Sequence, residues 1–153
     1  MPSPPVLYLD DLAVGQRFTG RSHTLDEEQI VRFAREYDPQ VFHLDAEAAK
    51  LTFFKGLVAS GWHTAAISMR LFVEATPIAG GLIGAGGEVS WPRPTYAGDT
   101  VHTESEITAI TPSRSRPDRG IVTIRTETKN QNGDVVQVLQ AKIVVPRRAE
   151  AGG

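Results

Sequence analysis

The sequence predicts an α+β domain in which an antiparallel sheet of about five strands is wrapped around a central apolar helix. Three observations predict it. Helix-like periodicity dominates the first half of the chain, and two-residue alternation dominates the second. The segment Ser60 to Glu74 carries apolar residues on nearly every helical face, so it needs cover on most sides. The β-branched runs after it supply a sheet that can curl round it.

The elements follow in chain order. Thr24-Leu-Asp-Glu27 fits a capping box, and Ile30, Phe33, Ala34 and Tyr37 fall at i, i+3, i+4 and i+7, which predicts a helix with one buried face. Pro39 disfavours the α conformation at Asp38, so this helix should end there and the chain should turn through Pro39 to His43. Asp45 can cap a short helix over Ala46 to Leu51. Strands are expected at Gly87 to Trp91, Thr100 to Ile110, Ile121 to Lys129 and Val135 to Val145, with a further one around Val14 to His23. Val101, Thr103, Ser105 and Ile107 should share one face of their strand, and His102, Glu104 and Glu106 the other. Asn132-Gly133 is a hairpin turn. The ends, residues 1 to 5 and 147 to 153, have nothing to bury and should be poorly ordered, which leaves one domain spanning residues 1 to 153.

Composition bounds the function. With 153 residues, 41% of them hydrophobic, the chain holds one domain's worth of core. Sixteen Lys and Arg against eighteen Asp and Glu give a net charge of -2, which offers no general cationic surface for nucleic acid. There are no cysteines, so disulfides, thiolate nucleophiles and Cys-based metal sites are excluded, and any catalysis uses oxygen or nitrogen groups. No segment approaches the apolar length of a membrane span, and a soluble cytoplasmic protein is expected.

The sharpest local feature is Tyr37-Asp38-Pro39-Gln40-Val41-Phe42-His43-Leu44-Asp45. It puts a carboxylate and an imidazole five positions apart on a turn after a helix, where both can point into one pocket. The same residues also suit a helix-end aspartate and a half-buried, hydrogen-bonded histidine. A second feature, Val58-Ala-Ser-Gly-Trp-His63, opens the central helix with small residues. Free N-H groups at the positive end of the helix dipole make a natural oxyanion site, and Gly61 lets a carbonyl oxygen approach closely. Equally, Ser60 could cap the helix and Gly61 permit tight packing.

Other features carry less. The run Gly80 to Gly87 lacks the dinucleotide spacing and leads into a strand, so it is read as a flexible connection. His43 and Asp45 have no third metal ligand at a recognisable spacing. His63 reads as a packed histidine, His102 as part of a charged strand face, and His23 as a residue without an evident partner. Arg114, Arg116 and Arg119 read as a solvated loop, or else, with Arg93, as candidates for phosphate contacts.

Four blocks then carry a family resemblance: Tyr37-Asp38, His43-Leu44-Asp45, Phe54 to Trp62, and Arg93-Pro94-Thr95-Tyr96-Ala97-Gly98-Asp99-Thr100. In this order, over roughly Leu25 to Val145, the chain resembles the MaoC-like dehydratases, the hotdog-fold family that includes (R)-specific enoyl-CoA hydratases. Asp38 and His43 satisfy the family's Asp-x4-His pattern. Pro39-Gln40-Val41-Phe42 stands where the family commonly has x-Asn-Pro-x, and Ser60-Gly61-Trp62 where its hydratases often have His-Gly-Met. The resemblance implies a hydro-lyase that interconverts a trans-2-enoyl thioester and the (R)-3-hydroxyacyl thioester. It implies catalytic roles for Asp38, His43 and the Gly61 N-H, substrate contacts from Ser60, Trp62 and Phe42, and an acyl channel lined also by Phe53 and Phe54. Coenzyme A or an acyl carrier is then part of the substrate, with no metal or redox cofactor. A two-fold dimer joining the sheets is also implied, since one sheet with an exposed edge and one helix make a small core. The rivals are a hotdog acyl-CoA thioesterase, which would bring a carboxylate from the central helix where only Glu74 stands, and a non-catalytic acyl-CoA binding or partner subunit.

Overall fold

The computed structural model describes residues 5 to 149. After a single 3-10 turn at Leu9–Asp11 come two short strands, β1 (Arg17–Thr19) and β2 (His23–Thr24). Four helices follow: α1 (Glu27–Tyr37), α2 (Val41–Leu44), α3 (Ala46–Ala49) and α4 (Gly61–Ala75). The long strands β3 (Ile83–Ser90), β4 (Thr100–Pro112), β5 (Arg119–Lys129) and β6 (Val135–Pro146) complete the order. All pairings between them are antiparallel, in the order β1-β4-β5-β6-β3, with β2 also on β4. This is the hotdog arrangement, with six strands where about five are expected because the Val14 to His23 region divides in two.

The expected alternation holds on β4: Val101, Thr103, Ser105 and Ile107 are buried, while His102, Glu104 and Glu106 are only partly so. Two apolar clusters form on the inner face. Phe72 of α4 meets Ile107, Val122, Ile124, Ile143 and Val145, and Leu71 meets Leu25, Ile30, Leu57, Val101 and Val136. Alongside them lies a buried polar band, in which Ser68 Oγ contacts Thr128 Oγ1 at 2.6 Å and Ser105 Oγ contacts Thr126 Oγ1 at 2.8 Å.

Several local expectations are corrected. The cap of α1 is Asp26, whose carboxylate accepts from Gln29 N at 2.9 Å, because Thr24 is drawn into β2 and bonds Thr100. Tyr37 is exposed, so only Ile30 and Ala34 of that helix are fully buried. Residues 41 to 44 form a helical turn, and α3, capped by Asp45, ends at Ala49. The central helix is open on one side: Trp62 is 62% exposed, Val73 50% and Met69 42%. Most of the glycine run, from Ile83 on, belongs to β3, paired with β6 through a bulge at Gly84/Gly86. The expected terminal tails lie mostly outside the described residues, but Arg147 and Arg148 are held, bonding Asp10 and Asp11.

Candidate active site

Pro39 decides where the site begins. Asp38 leaves α1 with φ -153° and ψ 69°, the non-helical conformation that a following proline enforces. The chain then winds straight into α2, which carries His43 on its inner side, 5% exposed. The segment before α4 is held from two sides: Val58 N donates to Phe42 O at 3.0 Å, and Ala59 N donates to Thr95 O at 2.8 Å. This clamp brings the Val58 carbonyl under the imidazole and Ser60 beside Asp38.

The resulting contacts are short and directional. His43 Nδ1 lies 2.7 Å from Val58 O. A carbonyl only accepts, so Nδ1 carries a hydrogen and Nε2 is the nitrogen left for chemistry. Nε2 faces Asp38 Oδ2 at 3.3 Å. Ser60 Oγ donates to the same Oδ2 at 2.6 Å, and Gln40 Nε2 donates to Oδ1, also at 2.6 Å. Partial burial works against ionising Asp38, but the Ser60 hydroxyl, the Gln40 amide and His43 outweigh it and hold the carboxyl below its ordinary pKa.

Ser60 occupies the N-cap position of α4, yet its hydroxyl makes no capping bond because it is spent on Asp38. The first amides of α4 therefore keep their positive end uncapped by a side chain. Gly61 opens into a cleft of about 460 Å³ that Asp38, His43, Phe42, Phe53, Phe54 and Trp62 also line. Asp38, His43, Gly61, Phe42 and Trp62 thus meet in one cleft, as does the expected channel residue pair Phe53 and Phe54. Ser60, expected as a substrate contact, is 1% exposed and serves the carboxylate instead.

Among the lining residues that escaped the sequence, two make contacts that shape the site. Trp91 lies against Gly61, crosses Trp62 edge-on at 5.2 Å, and donates its Nε1-H to the fully buried Gln137 Oε1 at 3.0 Å. Gln40 is the other; its contact with Asp38 is local, and the cue was a polar amide two residues from the acid. Arg93 lines the cleft, whereas Arg114, Arg116 and Arg119 do not. His63 stacks flat on Phe33 at 4.6 Å, and burial pushes it down to about 4, so it is a packed neutral histidine. His23 does have a partner, Gln29 Oε1 at 2.7 Å, and His102 pairs with Glu104. Asp45 is used as a cap, and among the described residues no three His, Asp or Glu side chains are grouped to hold a metal. No helix among them is long and apolar enough to cross a membrane.

The family model for the MaoC like domain matches residues 11–130. The chain belongs to that family. A MaoC-like dehydratase from Rhodospirillum rubrum has a crystal structure that is 57% identical and superposes with a TM-score of 0.92, covering 94% of this chain and 99% of that one. The chain is 35% identical over 140 residues to the uncharacterized protein YdeM of Bacillus subtilis (strain 168), covering 90% of this chain and 96% of that one. It is 28% identical over 137 residues to an (R)-specific enoyl-CoA hydratase of Aeromonas caviae, covering 88% and 96%. The site described above lies within the matched residues, on the same Asp-x4-His segment that carries the family resemblance.

Proposed function

We propose that this MaoC-like protein hydrates a trans-2-enoyl thioester to the (R)-3-hydroxyacyl thioester and catalyses the reverse dehydration. The observation that carries the reading is the approach of His43 Nε2 to Asp38 Oδ2 at 3.3 Å in the cleft that Gly61 also lines. With Nδ1-H committed to Val58, a neutral imidazole and an ionised carboxylate present two acceptors to a single water molecule. His43 Nε2 takes a proton from that water as its oxygen bonds to the β-carbon. Asp38, ionised at the outset, holds the same water, takes that proton over from the imidazolium and delivers it to the α-carbon, so both side chains regain their starting forms and H and OH add across the double bond with nothing else consumed. The negative charge on the thioester oxygen in between falls to the Gly61 N-H at the head of α4. The reaction as written calls on no metal or redox cofactor.

The acyl group is taken to lie among Phe42, Phe53, Phe54 and Trp62, with coenzyme A or an acyl carrier as the thiol. A two-fold homodimer suits the same reading, because β3 is an edge strand with Ile83 54% exposed and the outer face of α4 leaves Trp62, Met69 and Val73 uncovered. The thioesterase alternative is disfavoured by Glu74, which sits at the far end of α4 in ion pairs with Arg21 at 2.7 Å and Arg70 at 3.1 Å. Crotonyl-CoA separates the readings. Loss of the conjugated enoyl absorbance without free thiol is expected; release of free thiol would point to a thioesterase, and binding with neither change to a non-catalytic subunit.

A further inference from the structure

The two oxygens of Asp38 have different partners. Oδ2 receives the Ser60 hydroxyl and faces His43, while Oδ1 receives only the Gln40 amide among the described residues. Gln40 is also tied through its backbone to both members of the pair: its N-H donates to Asp38 O at 2.8 Å, and its carbonyl accepts from His43 N at 2.9 Å. We propose that Gln40 is a positioning residue for the reaction, holding Oδ1 so that Oδ2 stays turned toward His43 Nε2 and toward the water that the hydratase reading sets beside both. The inference rests on the hydratase reading.

The physical argument starts from rotation. A carboxylate anchored at one oxygen can still swing about the side-chain bond to its carboxyl carbon, a broad, soft torsion. A second donor on the other oxygen removes that freedom. The side chain of Gln40 is exposed, and an exposed glutamine adopts one rotamer only if something rewards it; a hydrogen bond to a charged oxygen at 2.6 Å does so. Pro39 restrains the backbone between acid and amide, which keeps the donor within reach. The same bond favours the charged form of Asp38, so its loss should affect both placement and titration. Serine at position 60 cannot replace it, since its hydroxyl is already on Oδ2.

The test compares wild type, Q40L, Q40E and D38N with crotonyl-CoA across pH, alongside carbon-13 NMR titration of the Asp38 carboxyl. In Q40L, which keeps size but removes the donor, kcat should fall about tenfold with KM little changed, the expected signature of misplacement. The Asp38 midpoint should rise by about half to one pH unit. In Q40E, a second carboxylate against Oδ1 should raise it further and carry the acid limb of kcat/KM upward with it. A thermal midpoint near that of wild type verifies that Q40L is folded, as its exposure leads one to expect. Wild-type kcat together with an unmoved Asp38 titration in Q40L would overturn the role of Gln40 alone. Activity surviving in D38N would instead overturn the hydratase site on which it rests.

Discussion

Trp91 and Gly61 are in such close contact that a Cβ on Gly61 would lie 2.8 Å from Trp91 Cε2. The indole cannot simply swing away, because its N-H is bonded to Gln137, which is buried at 0% exposure. Packing therefore favours glycine at the head of α4, and the proposed approach of a substrate oxygen to its amide favours it too.

This predicts that Gly61→Ala displaces the indole or the helix terminus and lowers kcat/KM for crotonyl-CoA by about a hundredfold, the scale of an ångström-sized misplacement in a site of this kind. Trimming the obstruction in a G61A/W91L double variant should recover part of the loss. Steady-state rates of the two variants decide it; a G61A enzyme as active as wild type would show that the contact with Trp91 does not matter.

His63 gives a pH dependence of stability. Burial lowers its pKa from 6.5 to about 4, so the unfolded chain binds a proton that the folded chain refuses. Its contribution is complete above pH 6.5 and is lost progressively as pH falls toward 4, by about 3 kcal/mol at most. Nδ1 has no hydrogen-bond partner among the described residues, so His63→Leu removes an unpaired buried polar atom and should flatten the acid side of the stability curve with little cost near neutrality. Urea denaturation from pH 4 to 7 measures this; an unchanged slope in the variant would assign the acid sensitivity elsewhere.

The buried contact between Ser68 and Thr128 predicts an asymmetry. Ser68 Oγ also donates to Thr64 O at 2.7 Å, so Thr128→Val leaves it satisfied, whereas Ser68→Ala leaves the Thr128 hydroxyl buried without that partner. S68A should cost about 1–3 kcal/mol and T128V less, with the double variant milder than S68A alone. Denaturant midpoints of the three variants suffice, and equal costs for both single substitutions would contradict the assignment.

How much of this was legible follows from sequence distance. Asp38, Pro39 and His43 lie on one turn, and a proline acts on its immediate neighbour, so the pair could be read from spacing and turn chemistry. Ser60 reaches Asp38 across 22 positions and Trp91 reaches Gln137 across 46, contacts that depend on how the sheet wraps the helix. Thr24 and Asp26 both satisfy the cap rule, and the pairing of Thr24 with Thr100 decided between them. The apolar residues of α4 read as burial on most sides, because a sequence does not distinguish a face covered by its own chain from one left open. In β3, glycines that read as a loose connection are held by ladder bonds to β6.

The most direct measurement is the initial rate of crotonyl-CoA hydration by Asp38→Asn, His43→Ala and the double variant, each confirmed folded by its thermal transition. Each single substitution should cost at least about a hundredfold in kcat, and the double variant should be little worse than either, because in the proposed reaction the two side chains act on one water molecule. A D38N or H43A enzyme that keeps its rate within a few fold of wild type would contradict the account.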